Sequence, residues 1–295
     1  MKLTSKQKGI MFLILSALCF ASMNLLAKLS GELPSMQKAF FRNLIAAIVS
    51  FAVLIRSKEK FHLDKKNLPF FFMRAIFGTM GIVGNFYAIE HMLLADASIL
   101  AKLAPFFAIL FSFLFLKEKI KLYQILAVIT AFSASLLIIK PAFADKSHVI
   151  AALIGAFGGM MAGAAYTCVR YLSIKKEKGA TIVFFFSFCS ILILLPVFII
   201  FYHPMTLLQT ITLLLAGLVG TGGQFCVTAA YAHAPAGSIS VYDYTQIVFS
   251  AIFGFAFLGE LPDRWSLLGF AIIFAVALFM FLHHEDKVKK HLGAN

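Results

Sequence analysis

Apolar residues lie along this chain in long runs, and short breaks with charged residues or proline separate them. A helix that crosses a bilayer needs roughly 20 consecutive, mostly apolar residues. Runs of that length predict ten transmembrane helices. The short breaks make neighbouring helices antiparallel and leave no room for a separate soluble domain. The predicted fold is an all-α integral membrane protein with helices near 9–27, 36–55, 68–89, 96–116, 121–139, 149–169, 181–201, 207–230, 238–258 and 265–282.

Composition and charge agree with a membrane protein. Hydrophobic residues make up 61% of the chain and charged residues only 13%, whereas soluble domains are usually about one quarter charged. The net charge of +13 could indicate a nucleic-acid partner. Most Lys and Arg residues, however, fall in loops on the side of the N-terminus, which is the positive-inside pattern. We therefore predict a multi-pass protein of the cell (inner) membrane with both termini cytoplasmic, in contact with membrane lipid and with no nucleic acid.

The second half of the chain partly repeats the first. The predicted domains are residues 1–140 and 149–284, followed by a cytoplasmic tail at 285–295. Each half has five predicted helices, and because five is odd, the second half enters the membrane from the opposite side. A shift of the sequence by 142 residues brings similar residues together: Lys28 and Arg170, Ala75 and Gly217, Gly78 and Gly220, Gly81 and Gly223, His91 and His233, Glu118 and Glu260.

Such inverted repeats are typical of secondary transporters, which bind substrate near the midplane between the halves. A duplicated bundle with no transport role is the alternative. Three segments carry a more specific signal: AFFRNLIAA (39–47), LAPFFAILFSFLFLKEKI (103–120) and AYAHAPAGSISVYDYTQIVFSAIFGFAFLGELPDRWSLLGFAII (230–273). In this order they resemble the drug/metabolite transporter superfamily, in its EamA-domain branch, and the resemblance covers nearly the whole chain.

The resemblance implies ten helices in two inverted EamA repeats, cytoplasmic termini, and export or exchange of small metabolites. The segment VYDYTQ (241–246) also looks like part of the S-adenosylmethionine and amino-acid transporters of intracellular bacteria. Because the family is broad in substrate, membership does not name the cargo.

Two ionisable residues lie deep in predicted spans, where charge is costly and by default indicates function. Lys102 is in the fourth span and Asp243 is in the ninth, and the repeat brings them to nearly equivalent positions. In one interpretation Lys102 binds a carboxylate or phosphate of the substrate while Asp243 binds an ammonium group. In the other, the two residues pair and lock the halves together, because an unpaired buried charge is costlier than a paired one. The pair could also open when substrate arrives.

Other polar residues could line the same site. Tyr242 and Gln246 are four residues apart and would share one face of a helix, whereas Tyr244 would point elsewhere and pack. Asn24 and Tyr166 lie on the first spans of the two halves, and each could be a ligand or a hydrogen-bonding link between helices. The predicted substrate-binding residues are Lys102, Asp243, Tyr242, Gln246, Tyr244, Asn24, Tyr166 and Asn85.

The remaining charged and special residues receive structural interpretations. Arg42, near the outer start of the second span, could either reach the interface or act inside the span, and Arg74 is expected to reach the cytoplasmic headgroups. Phe184–Phe186 are expected to pack or contact lipid. Pro105 would kink the fourth span beside Lys102 and could act in gating. Two glutamates are expected to form interfacial pairs, Glu118 with Lys119 and Glu260 with Arg264. Gly155, Gly159 and Gly163 form the small-xxx-small pattern of closely packed helices.

Enzyme motifs are absent from the sequence: it has no HExxH, no GxSxG and no Walker loop. The four cysteines form no CxxC pair, so no metal site or disulfide is predicted. We predict a non-enzymatic secondary transporter, without catalytic residues, metal or cofactor, for a small polar or zwitterionic metabolite such as an amino acid or S-adenosylmethionine. The alternatives are an exporter of hydrophobic drugs or lipid-like molecules, a passive channel or facilitator, and an intramembrane enzyme. Coupling to a proton or counter-substrate and assembly into a homodimer stay open.

Overall fold

The computed structural model describes residues 4–56, 64–116, 122–139, 146–233 and 240–292, and within these ranges the chain is helical and has no strand. The predicted pair of Glu118 and Lys119 lies outside the described residues. In chain order the helices are α1 (Ser5–Leu29), α2 (Ser35–Arg56), α3 (Leu68–His91), α4 (Leu94–Ala101), α5 (Ala104–Leu116), α6 (Leu122–Ile139), α7 (Lys146–Ile174), α8 (Gly179–Ile200), α9 (Leu207–His233), α10 (Thr245–Leu258) and α11 (Arg264–Leu292), with 3₁₀ turns at Lys65–Asn67 and Ser240–Tyr244.

Seven helical segments of the described chain are long and apolar enough to cross a membrane. The chain is therefore a multi-pass helical membrane protein, while the count of ten spans and the inversion of the halves stay predictions. Large apolar side chains such as Leu207 and Ile200 are exposed, as lipid contact requires. The seven segments are Ser5–Leu29, Ser35–Arg56, Lys65–His91, Leu94–Phe115, Lys146–Ile174, Gly179–Ile200 and Leu207–Ala230.

Glycines allow the central helices to approach closely. Helix α3 packs along α7, and α1 packs along α9. A Cβ atom on Gly84 of α3 would lie 2.9 Å from the carbonyl oxygen of Ile154 in α7. On α7, a Cβ on Gly159 would lie 2.4 Å from the carbonyl oxygen of Leu100, and one on Gly163 would lie 2.7 Å from that of Ala104. The close packing predicted for the α7 glycines is confirmed, and it holds α7 against the junction of α4 and α5.

The fourth predicted span is two helices and not one kinked helix. Helix α4 ends at Ala101, where the backbone N–H of Lys102 bonds to the carbonyls of Ser98 and Ile99, and α5 begins at Ala104. Pro105 is the second residue of α5, where a helix has no use for the N–H that proline lacks. The predicted kink at Pro105 is thus wrong: proline starts the second helix, and the break lies before it, at Lys102 and Leu103.

The ninth predicted span also begins irregularly. A 3₁₀ turn at Ser240–Tyr244 precedes α10, which starts at Thr245. The prediction that Tyr242 and Gln246 share one helix face assumed a continuous α-helix and is wrong, because the two residues lie in different elements. Tyr242 packs beside a buried cluster of Leu13, Val227 and Ala230, whereas Gln246 lies buried in the first turn of α10.

Candidate functional site

The interruptions of the two spans meet, and their charged residues pair. The Nζ atom of Lys102 donates a hydrogen bond to Oδ2 of Asp243 at 2.6 Å. The hydroxyl of Tyr244 donates to the backbone carbonyl of Lys102 at 3.2 Å, which corrects the prediction that Tyr244 only packs elsewhere. Nearby, Ser98 of α4 donates to Ser250 of α10 at 2.8 Å. Three polar links therefore join α4 to the start of the α10 segment.

Local helix ends favour this pair. Lys102 caps the C-terminal end of α4, where the helix dipole is negative and a cation is stabilised. Asp243 lies just before the N-terminus of α10, where the dipole is positive and an anion is stabilised. The Lys102 side chain is largely buried, and the Asp243 side chain is 19% exposed. The carboxylate therefore keeps some contact with open space while it holds the ammonium group.

A second polar link lies between α1 and α3. Asn85 Nδ2 donates to Asn24 Oδ1 at 3.3 Å, as the amides are oriented here. The other amide atoms, Asn24 Nδ2 and Asn85 Oδ1, are buried with no hydrogen-bond partner among the described residues. The structure thus brings these two predicted site residues together as an interhelical link. It leaves one donor and one acceptor available on the pair.

Arg42 and Arg74 do not reach the interfaces, so the prediction for Arg74 is wrong and Arg42 lies inside its span. They are only 3% and 4% exposed and lie inside the protein. The Cζ atom of Arg74 lies 3.8 Å from the centre of the Phe186 ring, and that of Arg42 lies 5.7 Å from it. Phe186 is itself buried between them and is not a lipid contact. Two guanidinium groups from α2 and α3 therefore share one aromatic ring of α8.

These guanidinium groups have few partners of their own. Arg42 donates through Nη1 to Asn43 Oδ1 at 2.9 Å. Among the described residues no carboxylate lies within ion-pair distance of either arginine, and the Nε atoms of both are buried without a hydrogen bond. Sequence reasoning missed this cluster because burial depends on how each helix is rotated. The available signal was Gly78, one helical turn after Arg74.

Tyr166 connects the arginine cluster to the Lys102–Asp243 pair. It lies on α7 within electrostatic reach of Asp243, Arg74 and Arg42, which belong to three other elements. Tyr166 is 41% exposed. Its hydroxyl makes no hydrogen bond with the described part of the chain.

Further ion pairs lie at one end of the bundle. Lys28 at the end of α1 pairs with Glu260 after α10, and the other oxygen of Glu260 accepts the backbone N–H of Leu94 at 2.7 Å. The predicted pairing of Glu260 with Arg264 is therefore wrong. The Nζ atom of Lys38 on α2 lies 3.5 Å from Oε2 of Glu90 at the end of α3. These contacts bridge helix ends that the sequence places on the outer side. Among the described residues no cluster of His, Cys, Asp and Glu could hold a metal ion.

Buried charged and hydrogen-bonding side chains among membrane-length apolar helices are typical of polytopic membrane transport proteins. Sequence comparison makes the class specific. The family model of the EamA-like transporter family matches the chain twice, at residues 7–140 and 149–282. The chain belongs to the EamA-like transporter family and contains two of its repeats.

Relatives agree with this family. The chain is 35% identical over 271 residues to the pseudopaline exporter CntI of Pseudomonas aeruginosa, covering 90% of this chain and 93% of the exporter. It is 30% identical to solute carrier family 35 member G1 of Mus musculus, covering 88% of this chain and 74% of the relative. A solved crystal structure that is 15% identical aligns with a TM-score of 0.61 over 91% of this chain and 94% of that chain, which supports the fold alone.

Proposed function

We propose that this protein is a secondary transporter that exports or exchanges a small polar or zwitterionic metabolite by alternating access. The observation that carries the proposal is the contact of 2.6 Å between Lys102 and Asp243 at the meeting point of two interrupted spans. A charged pair inside a membrane protein is typical of a substrate or ion pathway. The similarity to a pseudopaline exporter favours export.

The pair supplies complementary groups for a zwitterion. An acidic group of the substrate would compete with Asp243 for the Lys102 ammonium, and an amino group would compete with Lys102 for the carboxylate. Binding would therefore separate the two residues, so that the substrate favours the state in which α4 and the 3₁₀ turn are apart. A ligand shifts a conformational equilibrium only by its differential affinity for the two states, and this exchange of partners provides such a difference.

Movement at this point would be transmitted through α7. The carbonyl oxygens of Leu100 and Ala104 lie against Gly159 and Gly163, so a shift of the α4–α5 junction displaces α7. Helix α7 also carries Tyr166, which lies within electrostatic reach of Asp243. With the N-terminus in the cytoplasm, the pairs Lys28–Glu260 and Lys38–Glu90 would close the outer mouth in this state. The substrate would then enter from the cytoplasmic side of the inner membrane.

Counterflow in proteoliposomes tests this proposal. Vesicles with purified protein would be loaded with a pooled metabolite extract, and labelled amino acids, S-adenosylmethionine and nucleosides would be offered outside in turn. We expect uptake of one class by the wild type and its loss in Lys102→Ala. The variant lacks the ammonium group that would leave Asp243 and bind an acidic group of the substrate. Exchange that depends on the internal load would identify a secondary transporter and its cargo.

The matched control is Lys8→Ala, which removes an exposed lysine near the start of α1 and should exchange normally. Uptake that continues without any internal metabolite, at a rate linear in concentration, would instead identify a channel. Wild-type rates in Lys102→Ala would exclude the pair from the transport site.

A further inference from the structure

We propose that Arg42, Arg74, Phe186 and Tyr166 form an anion-binding subsite that takes a carboxylate or phosphate group of the transported molecule. The inference rests on the proposed transport function and names the chemical class of its cargo. It starts from the two arginines, which lie inside a membrane protein with no carboxylate partner in the described part of the chain.

Two buried guanidinium groups near each other require compensation. Their charges repel, since each lies within electrostatic reach of the other. A buried charge is expensive unless it is paired and hydrogen-bonded, and a shared aromatic face offsets only part of that cost. An anion between the arginines would cancel the repulsion and fill their free donors.

The surroundings hold the arginines in place and keep room for them. A Cβ atom on Gly78 would lie 1.9 Å from Nη1 of Arg74 and 2.6 Å from the Phe186 ring, so only glycine allows this stacked position. Arg42 is held through its bond to Asn43, which in turn donates to the carbonyl of Ala39 at 2.9 Å. Both side chains are thus oriented before any ligand arrives, which lowers the entropic cost of binding one.

Tyr166 gives the subsite an accessible polar group. The residue is 41% exposed and lies within electrostatic reach of both arginines and of Asp243. Because the hydroxyl has no hydrogen bond with the described residues, it is free to donate to an oxygen of the ligand. The guanidinium forks match planar carboxylate and phosphate groups, which accept two parallel hydrogen bonds.

The charges around Tyr166 select the net charge of the cargo. Among the described residues, those that act on Tyr166 are Arg42, Arg74 and Asp243, and Lys102 adds a third cation through its pair with Asp243. A ligand with more acidic than amino groups balances this set, whereas a cation adds to the excess. The cargo is therefore a net-anionic amino-acid-like or phosphorylated metabolite. A sulfonium compound such as S-adenosylmethionine is disfavoured.

Export from proteoliposomes tests the subsite. Vesicles would be loaded with cell extract that an anion-exchange resin has divided into bound and unbound fractions, and efflux would be followed by mass spectrometry. We expect the wild type to export compounds of the bound fraction. Arg74→Gln should lower kcat/KM for the same compounds by about tenfold or more, the effect of losing hydrogen bonds to a charged group. Succinate and inorganic phosphate at equal ionic strength would serve as competitors and distinguish a carboxylate site from a phosphate site.

The control is Arg56→Gln, which removes an exposed arginine from the same helix as Arg42 and should leave kcat/KM unchanged. If Arg74→Gln does not fold, Arg74→Lys and Arg42→Gln replace it. Export confined to the unbound fraction, or wild-type kcat/KM in folded Arg74 and Arg42 variants, would overturn the subsite while leaving transport intact. A wild type that exports neither fraction would refute the proposed function, and the subsite with it.

Discussion

Lys102 and Arg74 are both buried cations in a membrane-spanning region, and they differ in what surrounds them. Lys102 has a carboxylate at 2.6 Å and contributes a carbonyl to a second interhelical bond. Arg74 has an aromatic ring below it, a second arginine nearby, and no carboxylate in the described part of the protein. One cation has its counter-charge within the protein, and the other has none among the described residues.

This difference separates a structural charge from a recognition charge. A satisfied pair stabilises one arrangement of two helices, because separating it leaves two desolvated charges. An unsatisfied cation does not fix an arrangement in this way, but it gains much when a diffusing anion binds. In the proposed mechanism the Lys102–Asp243 pair holds this state until the cargo displaces it, whereas Arg74 has no partner to release before it binds an anionic group. Substitution of Lys102 should therefore lower both stability and transport, whereas substitution of Arg74 should lower chiefly transport.

The largest effect is expected at the satisfied pair. Lys102→Met leaves Asp243 without its partner and should lower the free energy of unfolding by about 3 kcal/mol. Adding Asp243→Asn removes the remaining charge and should restore most of that stability, while transport stays lost in both variants. Thermal melting in detergent and counterflow would be measured side by side. A double variant as unstable as the single one would contradict the assignment of a mutually compensating pair.

A smaller effect is expected from Gly78→Ala, which displaces Arg74 without touching Lys102. The added methyl group overlaps Nη1 of Arg74, so transport affinity should fall as it does in Arg74→Gln, and overpacking should cost about 1–3 kcal/mol. Gly222→Ala on α9 is the matched control, since its Cβ would meet only Cys19 Sγ, at 4.0 Å. Normal KM in Gly78→Ala would show that the stacked position of Arg74 does not matter for the cargo.

The smallest effects are expected from two tyrosine hydroxyls, and they sharpen the comparison most. Tyr244→Phe removes a bond to the Lys102 carbonyl and should lower stability by about 0.5–1.5 kcal/mol. Tyr166→Phe removes a hydroxyl with no hydrogen bond in the described structure, so the melting temperature should stay unchanged while KM rises a few-fold. Melting curves and transport kinetics of both variants would be compared. Equal melting losses would show that the two hydroxyls do not differ in role.

The sequence predicted the meeting of Lys102 and Asp243 because both are rare charges in apolar runs and the repeat relates their positions. It could not predict where each helix breaks. The residues around Pro105 are compatible both with one kinked helix and with a new helix that begins at Ala104. Which of the two forms depends on how the junction of α4 and α5 packs against α7. The sequence also left Arg42 open, because a long side chain near a span end can reach the interface or turn inward, and only helix rotation decides.

Partner choice at helix ends is equally hidden from the sequence. Glu260 has Arg264 four residues away, yet it pairs with Lys28, more than two hundred residues earlier. Glu260 pairs with Lys28 and not with Arg264 because the fold brings the end of α1 beside the start of α4. There Glu260 also accepts a hydrogen bond from the backbone N–H of Leu94. Long-range pairing of this kind follows from the assembled bundle.

Arg42 and Arg74 both lie in the first repeat, so the duplicated halves differ at these positions. At the shift of 142 residues, Arg42 corresponds to Phe184 and Arg74 to Ala216, so the second copy carries neither guanidinium. If the proposed subsite holds, residues 7–140 supply the two guanidinium groups, and residues 149–282 supply Asp243 and the Phe186 ring. A change of cargo would then need substitutions in the first copy alone.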